Sequence, residues 1–236
     1  VADIFELITR KFQLKFKDRV TAGNILGESL KGSFKKEEQK DIVVLGIPRG
    51  GMITADVVAR KLSASVFDII IPRKLTNPDN KEHAIGAIME DGSAYLDEWL
   101  INLLQITPEY LEKEKAEQIR EIRRRSALYY SNMAINYHEL FKDMPIILVD
   151  DGAATGATLI AAARWLKRRI TPKRLIIAVP VAPKDTVKLL KQEVDVVEAV
   201  TSISSTFRSV GQFYQDFNPV PDEKVIEILR TRNMLI

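Results

Sequence analysis

Four short apolar runs constrain this chain most: Ile42 to Leu45, Val66 to Ile71, Ile146 to Val149 and Leu175 to Val181 are continuous rather than alternating. A strand with one solvated face alternates apolar and polar residues, so a continuous Ile/Val run marks a strand covered on both faces, as in a parallel sheet. Helical patterns follow three of the runs, at Met52 to Leu62, Thr158 to Arg169 and Lys184 to Gln192, and Val194 to Val200 reads as a further strand. Strands alternating with helices through right-handed crossovers predict an α/β fold built on a doubly wound, mainly parallel sheet.

Two features interrupt that rhythm. Ala84 to Glu90 and Ser93 to Leu96 flank Asp91-Gly92, a strong hairpin signal. A long helix is then expected from Thr107 to Asn136, with Thr107 as N-cap, Pro108 at the first helical position and Glu121 paired with Arg125 four residues on. Further helices are expected from Asp18 to Leu30 and from Asp222 to Leu229. With 46% hydrophobic residues, no repeat and no long Pro/Gly/Ser linker, the 236 residues read as one domain, 1–236, with a helical insertion at about 97–136.

Composition removes several functional classes. There is no cysteine, which excludes disulfides, thiolate nucleophiles and cysteine-bound zinc. His83 and His138 are the two histidines, so a metal, if used, should be a hard cation held by oxygens. The net charge of +3 is too balanced to indicate nucleic acid. The basic stretch Lys113, Lys115, Arg120, Arg123, Arg124 and Arg125 is interleaved with Glu112, Glu114, Glu117 and Glu121, the pattern of a solvated helix face or a dimer contact. No apolar run approaches the ~18–20 residues of a membrane span, and the opening stretch does not read as a signal peptide; a cytoplasmic protein with no membrane partner is expected.

The sharpest motif joins strand, small-residue loop and helix: Ile146 to Val149, then Asp150-Asp151-Gly152-Ala153-Ala154-Thr155-Gly156-Ala157-Thr158, then Leu159 to Arg169. A loop of Gly, Ala and Thr lets backbone N–H groups approach an anion, and the following helix aims its unpaired N–H groups and positive dipole end at the same place. Thr155 and Thr158 add hydroxyl donors. Two adjacent carboxylates suit vicinal hydroxyls or assist a divalent cation, so a ribose 5-phosphate unit fits both halves. A Walker A loop would need Gly-Lys-Ser/Thr and a dinucleotide site G-x-G-x-x-G, and neither stands here. The plain alternative is a tight strand–helix turn with a solvated Asp pair.

A second glycine loop, Gly46-Ile47-Pro48-Arg49-Gly50-Gly51, follows the first strand and brings a guanidinium fork suited to phosphate oxygens; the alternative is an ordinary turn. Arg73 and Lys74 stand at another strand end, before the polar, proline-interrupted stretch Leu75 to His83. Lys81, Glu82 and His83 are weaker candidates, and His83 reads equally as a surface residue. Phe213 and Tyr214, in a late aromatic segment, are candidates for stacking on a planar acceptor or for simple cap packing.

The string ILVDDGAATGATL resembles the signature of type I phosphoribosyltransferases. The order GIPRGG, PRKL, EHAIGAI, VDDGAATGAT is similar to a stand-alone microbial subgroup of that family. The resemblance implies transfer of a phosphoribosyl group from phosphoribosyl pyrophosphate to a nitrogen acceptor, such as a nucleobase, with release of pyrophosphate. It gives Asp150 and Asp151 the ribose hydroxyls, Gly152 to Thr158 the 5-phosphate, and Arg49, Gly50 and Gly51 the pyrophosphate. Arg73 and Lys74 would open a mobile catalytic loop, with Phe213 and Tyr214 in a hood over the acceptor. It also implies Mg²⁺ carried by the donor, assisted by Asp150 and Asp151, and a homodimer. The insert between Asp97 and Asn136 departs from well-known members. A regulator that senses the donor without turnover is the alternative function, and an idle phosphate-binding domain a third.

Overall fold

A computed structural model describes residues 15–34, 41–81, 83–130, 141, 143–203 and 207–233. In chain order the elements are α1 (Arg19–Lys31), β1 (Val43–Gly46), α2 (Gly50–Leu62), β2 (Val66–Ile69), β3 (Arg73–Thr76), β4 (Ala84–Ile88), β5 (Ala94–Leu96), α3 (Glu98–Leu103), α4 (Pro108–Tyr129), β6 (Pro145–Val149), α5 (Ala157–Arg169), β7 (Arg174–Pro183), α6 (Lys184–Leu190), β8 (Val196–Ile203), a 3-10 turn (Val210–Phe213) and α7 (Asp222–Asn233). His138, and the part of the expected long helix from residue 131 to Asn136, lie outside the described residues.

Each continuous apolar run is a strand of one parallel sheet, in the order β2-β1-β6-β7-β8. Side chains alternate across it, yet in β1, β6 and nearly all of β7 both faces are buried. Val44, Ile147 and Ile176 pack with α1, α2 and α7 through Leu26, Val58 and Val225. Leu45, Leu148 and Ile177 pack with α5 through Leu159, Ile160 and Leu166. Burial on both faces is why these strands carry no polar alternation. The strand order also fixes where a ligand belongs. From β1 the chain moves outward to β2, then returns to β6 on the other side of β1. That reversal opens a crevice at the carboxyl ends of β1 and β6.

After β2 the chain makes a second, antiparallel sheet, β3-β4-β5, with Asp91-Gly92 in the turn between β4 and β5 as expected. Residues 75–83, expected as a loop, begin instead inside β3, which pairs with β4 and docks on α4. The Thr76 N–H donates to Glu114 Oε1 at 3.1 Å and the Tyr110 hydroxyl to the Thr76 carbonyl at 2.8 Å. One apolar side chain, Leu75, anchors this strand in the core, so its tertiary partners rather than its hydropathy define it. Thr107 caps α4, accepting from the Tyr110 N–H at 3.2 Å, with Pro108 opening the helix.

The hairpin is pinned to the base of α5 by Arg169 and Asp91, 2.9 Å apart. Burial opposes ionisation of Asp91, but hydrogen bonds from Ser93 and Arg169 outweigh it and bring its pKa to about 2. A lowered carboxyl pKa stabilises the fold above the unfolded value of 3.8, and that contribution is lost as pH falls toward about 2. Asp91→Asn should therefore cost about 1 kcal/mol or less at neutral pH, since the pair is part-exposed. It should also flatten the acid limb of stability; urea melts from pH 7 to pH 2.5 check this, and an unchanged acid limb refutes it.

Candidate functional site

The crevice at the switch point is lined by the loops the sequence singled out. β6 ends at Val149 and delivers Asp150 and Asp151; β1 ends at Gly46 and delivers Arg49, Gly50 and Gly51. The Ile47 N–H donates to the Val149 carbonyl at 2.9 Å, so the two loops leave the sheet side by side. The Pro48–Arg49 peptide is cis. Gly50 and Gly51 lie directly on the acidic pair. A Cβ at Gly50 would overlap the Asp151 carboxylate, and one at Gly51 would stand 2.6 Å from Asp150 Oδ1. The glycines are needed for this close approach of backbone to carboxylate.

Asp150 Oδ1 accepts the Asp151 N–H at 2.8 Å. Asp151 Oδ2 accepts from Arg19 Nε at 2.6 Å, a partner 132 residues away at the start of α1. Arg19 is itself fixed: Nη1 donates to the Asn218 carbonyl at 2.9 Å, and its guanidinium sits 3.9 Å from the Phe217 ring centroid. Burial raises the Asp150 carboxyl well above the usual range, and the Asp151 charge beside it adds to the rise. Burial raises Asp151 too, opposed by Arg19. Lys74, exposed on β3, places positive charge close enough to favour the ionised form of both carboxyls.

The small-residue loop then rises to α5. The Ala153 N–H donates to the Val181 carbonyl at 2.9 Å, and the Thr186 hydroxyl to the Ala154 carbonyl at 2.6 Å, which leaves Ala154 and Thr155 exposed at the tip. Gly156, at φ 77°, turns the chain into the helix, a left-handed conformation that glycine adopts without strain. Thr158 lies in the first turn of α5, where the backbone N–H groups have no intrahelical partner. That makes an anion cradle next to a carboxylate pair.

The remaining candidates divide. Arg73 is half-buried in β3, with Nε donating to Gln118 Oε1 of α4 at 3.0 Å, so it faces α4 rather than opening a free loop. Lys81 and His83 are exposed near the turn after β3. Phe213 is half-buried against Phe207, with ring centroids 5.3 Å apart. Of the two readings of Tyr214, acceptor stacking or cap packing, the structure gives packing: it is 3% exposed, covered by Phe16 and Phe217, and its hydroxyl donates to the Asp151 carbonyl at 2.6 Å. Burial first, then the Asp151 charge, pushes its phenol pKa up, which keeps it a donor. Tyr214 and Arg19 thus hold Asp151 from opposite chain ends. Sequence reasoning missed Arg19, whose only local signal is its place beside the helix cap Asp18.

For a divalent ion the chain offers the Asp150 and Asp151 oxygens. Among the described residues no three Asp, Glu or His side chains gather as a ligand set. Two carboxylates beside an anion cradle fit magnesium that takes most of its ligands from a phosphorylated substrate and water.

The model of the phosphoribosyl transferase domain matches residues 21–218, and the chain belongs to that family. "Putative phosphoribosyl transferase" proteins of two Mycobacterium tuberculosis strains are 32% identical over 219 residues, 91% of this chain. The match takes in 46% of their length, so the chain spans about half of these curated relatives. A crystal structure of TT1426 from Thermus thermophilus is 36% identical and superposes with a TM-score of 0.71, covering 92% of this chain and 98% of that one. Among the described residues no helix is long and apolar enough to cross a membrane.

Two substitutions probe this arrangement. Gly50→Ala should cost about 1–3 kcal/mol by overpacking and break the Arg19–Asp151 pair; a urea midpoint equal to the parent's contradicts the close packing. A carboxyl raised on folding favours the protein below the unfolded pKa of 3.8 and works against it as pH rises through the folded value. Asp150→Asn, which can keep the hydrogen bond from the Asp151 N–H, should therefore raise the melting temperature of ligand-free protein at pH 7. The gain should shrink toward pH 4, and calorimetry at both pH values decides it.

Proposed function

We propose that the chain transfers the 5-phosphoribosyl group of phosphoribosyl pyrophosphate to a nitrogen acceptor, a nucleobase or a ring of similar chemistry, and releases pyrophosphate. The observation that carries this reading is the half-buried Asp150–Asp151 pair between two phosphate-suited backbones, the Arg49–Gly51 loop and the N-terminus of α5. Asp150 and Asp151 would accept the ribose hydroxyls, and the Gly152–Thr158 loop would hold the 5-phosphate. Arg49, Gly50 and Gly51 would hold the pyrophosphate, and Lys74 would steady the charge that grows on it as the glycosidic bond breaks. Magnesium, bound through the donor, would neutralise part of that charge. Phe213, half-buried where Tyr214 is covered, is the more accessible of the two rings for an acceptor. The relatives' family name and the resemblance to type I enzymes support the same reading, and the resemblance implies a homodimer.

Isothermal titration of phosphoribosyl pyrophosphate with Mg²⁺, followed by a pyrophosphate-release screen over nucleobases, tests the proposal. Asp150→Asn with Asp151→Asn should weaken donor binding through two charge-assisted contacts, each about 1.5–3 kcal/mol; unchanged affinity sinks the site. Binding without release for any base would favour donor sensing over transfer.

A further inference from the structure

The basic stretch of α4 reads from sequence as a solvated face, but the structure turns part of it inward. The Arg125 side chain is 10% exposed, and its Nε donates to Glu121 Oε1 at 2.7 Å. Arg124 grips the same carboxylate through Nε at 2.8 Å and Nη2 at 3.1 Å, and Nη2 also lies 3.3 Å from Asp222 Oδ2. Asp222 opens α7; its other oxygen accepts from the Tyr129 hydroxyl at 2.5 Å and lies 3.8 Å from Arg49 Nη1. One carboxylate therefore joins the Arg49 loop, α4 and α7.

The charges around it do not balance. Arg49, Arg73, Arg124 and Arg125 converge from three elements, against Glu114, Glu121 and Asp222, and Glu114 is already engaged by Thr76 and Gln118. Burial, then the Arg125 and Arg49 charges, hold the Arg73 guanidinium below the ordinary arginine range, partly offset by Glu121 and Glu114. Burial works against Asp222 ionising, yet Tyr129, Arg124, Arg125 and Arg49 keep its carboxyl below the usual value. At 3.8 Å the Arg49 contact is longer than a hydrogen bond, and the Arg49 side chain stays 40% exposed. A phosphate oxygen would satisfy that fork better than Asp222 does.

We propose that α4 and α7 complete the pyrophosphate end of the site: Arg124 and Arg125 stand with Arg49 and Arg73 as one anion-binding wall, and Asp222 is the counter-ion that an incoming pyrophosphate displaces from Arg49. This rests on the donor-site reading above and gives the insertion a share in it. The ligand class is a pair of linked phosphoryl groups, whose charge exceeds what Arg49 alone would neutralise.

The test uses inorganic pyrophosphate with Mg²⁺ in calorimetric titrations of the 236-residue chain, with melting curves to show that each variant folds. Asp222→Asn keeps an acceptor for Tyr129 and removes the competing charge, so pyrophosphate should bind about fivefold tighter. Arg124→Gln, at a half-exposed position, should bind about fivefold weaker. A purely structural role for Asp222 predicts equal or weaker binding in both variants, and either result at Asp222 overturns the proposal, as does a parent that fails to bind pyrophosphate. Phosphoribosyl pyrophosphate titrated into the parent separates the two readings. If it binds while the variants leave pyrophosphate unmoved, the wall falls and the donor site stands. If pyrophosphate responds as stated but the donor does not bind, the wall stands and the donor reading falls.

Discussion

Two adjacent, half-buried carboxylates at the end of a buried strand are the constraint around which the rest of this structure is arranged. Asp150 and Asp151 sit at the end of a strand buried on both faces, where a negative charge is costly to keep. The fold offsets that cost from several directions. The Arg19 guanidinium binds one carboxylate, the backbone N–H of Asp151 binds the other, and Lys74 adds positive charge from β3. Side-chain-free residues at positions 50 and 51 admit the second loop, so that a phosphate-suited backbone touches the carboxylates. Such an arrangement is poised for a ligand that carries both hydroxyl donors and phosphates.

The periphery is arranged around the same crevice. The terminal segments do more than cover the sheet. Phe16 and Tyr214 lie ring against ring at one end of the crevice, and Phe217 supports Arg19. On the other flank, α4 holds the antiparallel hairpin through Thr76 and Arg73 and meets α7 at Asp222. Through Asp222, α4 and α7 therefore stand next to Arg49 in the loop after β1.

Much of this could be read from the residues alone, for identifiable reasons. The parallel sheet was legible because double-sided burial leaves continuous Ile/Val runs, and the strand–loop–helix around Asp150 because small residues between an apolar run and a helical pattern mark a tight turn. β3 was not legible: Arg73, Lys74 and Thr76 are polar, and their strand conformation comes from pairing with β4 and from Glu114 and Tyr110 across the chain. Arg19 and Asp222 were missed for the same cause, since their partners lie 132 and more than 90 residues away. The α4 arginines were read as solvated because composition counts charges but not directions; an arginine stem can lie along a buried surface while its head turns to a carboxylate. Sequence leaves Tyr214 between a stacking ring and cap packing because it shows an aromatic residue and not which of its faces is already covered; the structure gives the packing role.

The Arg19–Asp151 contact has a consequence for how the molecule assembles. It ties the first described helix to the middle of the chain, while Tyr214 and Asn218 tie the last quarter to the same point. Contacts of such long sequence separation incur their loop-closure entropy before they contribute any stability. The Asp151 corner thus has no local set of partners: its contacts form only once α1 and the 214–218 segment have docked on β6. Ligand occupancy should consequently protect the whole cooperative unit against unfolding and proteolysis, not just the loops that touch it.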